Sequence, residues 1–508
     1  MQIFRMASEE KKSKTLIVGA GEMGEQILRN IINSIYSPYL PIGFIDDSPA
    51  KKGVVIHGLR VLGKIDDMPK IIKEYNIDSL IIAFPSAGSK MIKKAQKKGI
   101  EGGVMNIKYL PPINELIASA DKAGIGMLRD IDMEDLLGRE SVSFDQKVIN
   151  NFIKRKRVLI TGAAGSIGSE LCRQIAKFEP AWLFMLDHDE TGIFNISEEL
   201  KNNFPNLFFK SVVADIQDKE DIEWIFHYFY PEIVFHAAAY KHVPLMEETP
   251  EEAVKNNIFG TRNIVKAAKD IGAEKFIFIS TDKAVNPSSV MGATKRIGEM
   301  ICQHFNQEGK TKFISVRFGN VLGSRGSVIP IFKEQISKGG PVKITHKDME
   351  RYFMVTSEAC ILVMQAAVMG EGGEVFILDM GDPVKIIDLA KELIKRSGFE
   401  LGKDKDIEIK YIGKRPGEKI IEEILTAEEG TVATKNQKIF VAKISKVDDV
   451  RLYNKLGKLE KIVNSNIFDK FGKEKITEKK TLEELTKLRK EIISIFKELI
   501  PSYKSAKT

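Results

Sequence analysis

RVLITGAAGSIGSE, residues 157–170, runs from an apolar strand-like segment through a glycine-rich turn into a helical pattern. The run Val158–Ile160 suits a strand buried on both faces of a parallel sheet. Gly162 permits the tight turn, and Gly165 removes the side chain that would stand between a pyrophosphate and the helix N-terminus. Gly168 lets the helix pack closely on the strand, and Ser166 and Ile167 open that helix beside the same cradle. A glycine pattern alone is weak evidence, but here the strand, the helix and a downstream acid agree. The acid is Asp187, at the end of AWLFMLD. A carboxylate there accepts ribose hydroxyls and repels a 2′-phosphate, which favours NAD over NADP. The cradle also takes in Asp215 and Ile216 in VVADIQD, and Ala237 and Ala238 at the end of IVFHAAA. Asp215 reads equally well as a strand-end cap.

Working outward, AWLFMLD, LFFKSVVAD, IVFHAAA, KFIFIST and KFISVRFGN are apolar strands separated by helical segments. Strands alternating with helices predict a doubly wound parallel sheet, a Rossmann-type α/β fold. The same pattern occurs earlier: KTLIVGA, then Gly19-Ala-Gly21-Glu-Met-Gly24, then the strand ends GFIDD and DSLIIAF. The expected organisation is a tail at 1–13, a first Rossmann-like domain at 14–133 and a linker at 134–155. A second Rossmann domain with a small C-terminal lobe follows at 156–440, then a charged helical tail at 441–508. The first glycine turn binds a nucleotide or keeps the shape with an empty or regulatory cleft; the sequence leaves both open. In the tail, Thr481-x-x-Glu484 reads as a capping box, the apolar residues from Leu485 to Leu499 follow helical spacing, and Pro501 stops the helix. That helix packs on its own chain or a sister subunit, with a membrane-surface role as the alternative.

A chain of 508 residues is too long for one core. No apolar run approaches a membrane span, and the charged start MQIFRMASEEKKSK lacks a secretory core segment. Cys172, Cys302 and Cys360 are isolated, which fits a reducing cytoplasm and excludes a disulfide scaffold. The seven scattered histidines give no metal-ligand spacing. A net charge of +7 is diffuse and no nucleic-acid motif is present, so DNA binding is not expected.

STDKAVNPSSVMGATK, residues 280–295, resembles the active-site segment of an extended short-chain dehydrogenase/reductase. That superfamily usually carries Tyr-x-x-x-Lys here, and this chain has Met291-Gly-Ala-Thr-Lys295. A thioether neither gives nor takes a proton at neutral pH, so either the site is dead or the acid–base work has moved to Thr281, Asp282 and Lys283. Together with DLLGRE (135–140), HAAAYKHVPLME (236–247), RFGNVLGSRGSVIP (317–330), RYFM (351–354) and RPGEK (415–419), the chain resembles the polysaccharide-biosynthesis nucleotide-sugar 4,6-dehydratases acting on UDP-N-acetylglucosamine. Long members of that family usually carry membrane helices ahead of the first Rossmann unit. This chain resembles the soluble two-domain part.

The resemblance implies a redox-neutral reaction on a UDP-hexose: oxidation at carbon 4, loss of water across carbons 5 and 6, and hydride return to carbon 6. It makes Asp282 the acid at the carbon-6 hydroxyl and Lys283 the base at carbon 5. Lys295 holds the nicotinamide ribose, and Met291 marks retention at carbon 5. Thr281 can hydrogen-bond oxygen 4. A basic Lys283 requires a depressed pKa, so Asp282 and Lys283 are not expected to pair directly. The group that takes the oxygen-4 proton is left open between Asp282 and a water ordered by Thr281. Lys241, His242 and Glu247 lie past a strand end where substrate binds in such sheets. Asn320, Arg325, Arg351 and Arg415 are diphosphate and uridine candidates, since arginine offers paired donors. A 4-epimerase and a non-catalytic nucleotide sensor are the rival readings. Related enzymes pair through helices near 251–270 and 289–306, so a homo-oligomer is expected, and peripheral membrane contact stays open.

Overall fold

The computed structural model describes residues 12–34, 37–84, 89–104, 106–110, 129–130, 146–307, 310–397, 399–402, 406–424, 430–444, 446–464 and 478–505. The DLLGRE motif and residues 1–11 of the tail lie outside them. The chain packs as two units, Met1–Val142 with Glu392–Ile407, and Ser143–Lys391 with Glu408–Thr508.

The first unit is a seven-stranded sheet. Its first strand, Ser13–Val18, lies between Tyr39–Ile45 and Ser79–Ile82 and is parallel to both. Leu16, Ile17 and Val18 are fully buried between the two faces, as the continuous apolar run requires.

The second unit holds a nine-stranded sheet. The strand Arg157–Thr161 lies centrally, with Trp182–Asp187 on one side and Ile233–His236 on the other. Lys275–Ile279, Lys312–Arg317 and Val375–Leu378 continue the parallel array, and the antiparallel strands Ile439–Ala442 and Thr431–Ala433 close it. The chain leaves the central strand in opposite directions. A crevice therefore opens at the carboxyl ends of Thr161 and His236, where ligands bind in open α/β sheets. Three short strand pairs lie outside the main sheet: Asn320–Val321 with Phe353–Met354, Val342–Ile344 with Ile409–Tyr411, and Glu350–Arg351 with Val384–Lys385.

The charged C-terminal stretch forms the helices Asp449–Asn464 and Glu478–Leu499. They bury Leu452, Leu459, Ile492 and Phe496 in the same core as Ile258, Ile264, Met291 and Ile297. Arg262 pairs with Glu460, Arg489 with Glu251 at 3.0 Å, and His304 Nδ1 lies 2.8 Å from Asp449 Oδ1. These partners lie on the segments expected by resemblance to meet a sister subunit, so the chain's own helices cover part of that surface. The second helix is already under way at Thr481, which corrects the capping-box reading. The preceding Glu478, Lys479 and Lys480 are good helix formers and carry the helix through that position. Among the described residues no helix is long and apolar enough to cross a membrane.

Candidate active site

The glycine turn is built for close approach. Gly162 has φ +68°, and a Cβ there would stand 2.5 Å from the Ala238 amide nitrogen. A Cβ on Gly168 would overlap the Gly162 carbonyl oxygen. Gly165 is extended and leads into the helix Ser166–Ala176, leaving that helix's first amides open. Asp187 is stitched to the turn: Oδ2 accepts from the Ala164 amide at 2.9 Å and Oδ1 from the Asp189 amide at 3.0 Å. Arg325 lies over the same turn. Its amide donates to Ser166 Oγ at 3.2 Å, and its guanidinium reaches Asp189 at 3.1 Å and the Ala164 carbonyl. Asp215 accepts from the Gln217 amide at 2.9 Å, the geometry of a cap. Ile216 is buried against Gly260.

The first unit repeats this arrangement. Gly19 has φ +111°, and a Cβ on Gly24 would overlap the Gly19 carbonyl oxygen. Asp46 accepts from the Ala20 and Ser48 amides at 2.8 and 2.9 Å. One feature differs: Lys51 Nζ donates to Asp46 Oδ2 at 3.0 Å.

The strand Lys275–Ile279 delivers the catalytic candidates. Thr281 caps the short turn Asp282–Ala284 and donates its hydroxyl to Asp282 Oδ1 at 2.8 Å. Lys283 Nζ donates to the same oxygen at 2.9 Å and to Asn320 Oδ1 at 3.3 Å. Asp282 Oδ2 is buried and has no hydrogen-bond partner among the described residues. The expected separation of Asp282 from Lys283 is thus not observed, and Lys283 is raised above the ordinary lysine value rather than depressed. Burial pulls it down, but the carboxylates of Asp282 and Glu422 outweigh that.

Behind this turn sits a group the sequence reading did not single out. Ser280 Oγ donates to Glu299 Oε1 at 2.6 Å, and Arg317 grips both oxygens of Glu299 at 2.7 Å. Burial opposes the charge of Glu299, but Arg317, Arg296 and Ser280 hold it at about 2.

The helix Val290–Asn306 begins beside the turn, with Ser289 Oγ accepting from the Gly292 amide at 3.1 Å. Glu247 Oε1 accepts from the Val290 amide at 2.6 Å, so Glu247 fixes the start of this helix. Met291 is buried in the core, where the superfamily pattern places a phenol. Lys295, one turn on, is 6% exposed, lies 4.0 Å over the Phe278 ring, and makes no hydrogen bond among the described residues. Burial lowers it to about 7. A buried cation without an oxygen acceptor suits a ribose diol, and with the open glycine turn and Asp187 it fits a dinucleotide.

A cleft of about 180 Å³ joins Lys283 to Lys241, His242, Arg351, Arg415 and Glu422. Burial pulls both Lys241 and His242 down. Arg351 donates to the carbonyls of Lys419 and Ile420 at 2.8 and 3.0 Å, so it straps the segment that follows Arg415. The Arg415 guanidinium makes no hydrogen bond or ion pair among the described residues and is exposed. Glu247, Asn320 and Arg325 do not line this cleft. Glu422 does, and nothing in the sequence marked it apart from the neighbouring Glu423.

Strand order and glycine turn define a doubly wound, Rossmann-type α/β unit. A family model described as polysaccharide biosynthesis protein matches residues 158–444, and the chain belongs to that family, whose members include nucleotide-sugar dehydratases. A second model, described as a CoA-binding domain, matches residues 2–111. The chain is 46% identical to the capsular polysaccharide biosynthesis protein CapD of Staphylococcus aureus, over 85% of this chain and 72% of that one. It is 33% identical to a UDP-N-acetylglucosamine 4,6-dehydratase (inverting) of Campylobacter jejuni, over 54% of this chain and 78% of that one. Among solved structures it is similar to Pen from Bacillus thuringiensis, at TM-score 0.53 and 34% identity, covering 57% of this chain and 90% of that one.

Proposed function

We propose that this chain is a UDP-N-acetylglucosamine 4,6-dehydratase that holds NAD tightly and retains configuration at carbon 5. The observation that carries the reading is the chain of contacts from Thr281 to Asp282 to Lys283, 2.8 and 2.9 Å long, beside a helix with Met291 in the phenol position. The likeness to a named dehydratase supports the substrate class. Gly162, Gly165, Asp187 and Lys295 would hold the dinucleotide, which supplies a hydride acceptor and later a hydride donor.

The chain's own residues manage the protons. The Thr281 hydroxyl, already donating to Asp282, passes the oxygen-4 proton to that carboxylate. Asp282 then delivers it to the departing carbon-6 hydroxyl. Lys283, as the free amine, takes the carbon-5 proton and returns it to the same face, which accounts for retention. Arg415 and Lys241 serve the diphosphate from the cleft wall. The buried, unpaired cysteines support a reducing, cytoplasmic setting, where both UDP-sugars and NAD occur.

Incubation with UDP-N-acetylglucosamine tests this. A product lighter by one water, with the carbon-5 configuration kept by proton NMR, is expected. A product of unchanged mass would make the chain an epimerase, and no product from any UDP-hexose would remove the reading.

A further inference from the structure

Lys283 must shed a proton before it can act as a base, yet the carboxylates of Asp282 and Glu422 favour its ammonium form. Its Nζ donates to Asp282 Oδ1 at 2.9 Å and to Asn320 Oδ1 at 3.3 Å, and lies 3.9 Å from Glu422 Oε1. Asn320 cannot take a proton at its amide oxygen under ordinary conditions. Asp282 is committed elsewhere: its Oδ1 already receives two donors, and in the functional reading above it takes the oxygen-4 proton. Glu422 differs. Its side chain is 3% exposed, its Oε2 is buried without a partner, and neither oxygen receives a hydrogen bond among the described residues. A buried carboxylate with no hydrogen bond is poorly stabilised as an anion.

Resting on the functional reading above, we propose that Glu422 accepts the proton of Lys283 when substrate seals the cleft, and so turns Lys283 into the base. The Nζ–H bond breaks, its electron pair stays on nitrogen, and an O–H bond forms on Glu422. The charged groups facing Glu422 are Asp282 and Lys283 from the catalytic turn, Arg351 from the strand Glu350–Arg351, and Lys419 on its own segment. The transfer leaves their summed charge, with that of Glu422, unchanged. No proton has to cross to solvent.

Burial drives the step from both sides, since it disfavours the ammonium of Lys283 and the carboxylate of Glu422 alike. Lys283 keeps 19% of its side chain exposed. A bound sugar that removes that water shifts the pair from two charges towards none. Arg351 Nε, 3.8 Å from Glu422 Oε1, works against that shift and favours the carboxylate before substrate enters. The segment is fixed for this role. Arg351 holds the carbonyls of Lys419 and Ile420, Lys419 Nζ donates to the Val285 carbonyl at 2.9 Å, and Ser288 Oγ donates to the Gly417 carbonyl at 3.0 Å. Glu422 acts through Lys283 and is a positioning residue.

The test compares the full chain with Glu422→Gln and Glu422→Asp, using UDP-N-acetylglucosamine as the probe. With Glu422→Gln, kcat near pH 7 should fall about a hundredfold with KM within about threefold. Its log kcat should rise with unit slope as pH rises, because solvent must now take the proton. Glu422→Asp should keep the flat profile of the parent at a reduced rate. In the parent, adding the probe should produce an infrared carboxylic-acid band that moves on carbon-13 labelling of glutamate. A dehydrating parent with no such band overturns the proposal alone. So does a Glu422→Gln variant with kcat within about threefold of the parent and the same profile. A parent that dehydrates no UDP-hexose overturns the functional reading, and the proposal with it.

Discussion

Lys283 Nζ donates to Asp282 Oδ1, the side chain of the residue immediately before it, at 2.9 Å. Neighbouring residues rarely face one another in regular structure; the short turn capped by Thr281 brings these two together. The pair places a carboxylate beside the amine that lines the cleft. Replacing Lys283 by Met should therefore lower kcat at least about a hundredfold while the chain stays folded, and Met291→Leu should leave kcat within about threefold. Steady-state rates on UDP-N-acetylglucosamine check both. A Lys283→Met variant with parental kcat would take the lysine out of the reaction.

Lys295 gives a stability prediction with a definite sign. Burial lowers it to about 7 in the folded chain, while an unfolded lysine titrates near ~10.4. Between those values the unfolded chain binds the extra proton, so this group's contribution to stability rises with pH across that window. Lys295→Met should remove that dependence. Its unfolding temperature should exceed the parent's by roughly a few degrees near pH 7, and the gap should close towards pH ~10. Calorimetric NAD binding should be lost in the same variant.

The Glu299–Arg317 pair is fully buried, with both side chains 0% exposed. Removing one partner of a buried pair leaves an uncompensated charge and costs about 3–5 kcal/mol. Glu299→Gln should lower the urea midpoint accordingly. It should also reduce turnover, because an amide NH2 replaces one of the two oxygens gripped by Arg317 and so disturbs the Ser280 contact that anchors the strand end before Thr281.

Phe496 is fully buried, in the core shared with the helix Val290–Asn306. Phe496→Ala should cost about 3–5 kcal/mol, read from urea unfolding of the full chain. If the C-terminal helices were a loosely attached tail, the variant would unfold with the parent.

The sheet of the second unit was legible because its strands are apolar runs of ordinary length, each followed by a helical pattern. The Gly162–Gly168 turn and Asp187 were legible for the same reason: chemistry and periodicity changed together within a few residues. The direct contact of Asp282 with Lys283 was not, since it depends on how Thr281 folds its own turn. Glu299 and Arg317 left only a faint signal, a charged residue inside an apolar helix face and another inside an apolar strand. Glu422 left none, because its burial comes from Arg351 gripping backbone carbonyls two and three residues earlier. The last helix was legible from the helical spacing of its apolar residues between Leu485 and Leu499, whereas the helix Asp449–Asn464 was masked by its lysines and glutamates although Leu452, Leu456 and Leu459 enter the core.

Those helices carry a thermodynamic implication. Where a helical face is covered by another molecule, the stability it gains varies with how much protein is present. Here Leu459, Ile492 and Phe496 supply apolar cover from the same polypeptide. The shielding of the helix that bears Met291 and Lys295 should therefore survive dilution, and that part of the fold should melt at one temperature whether the protein is scarce or abundant.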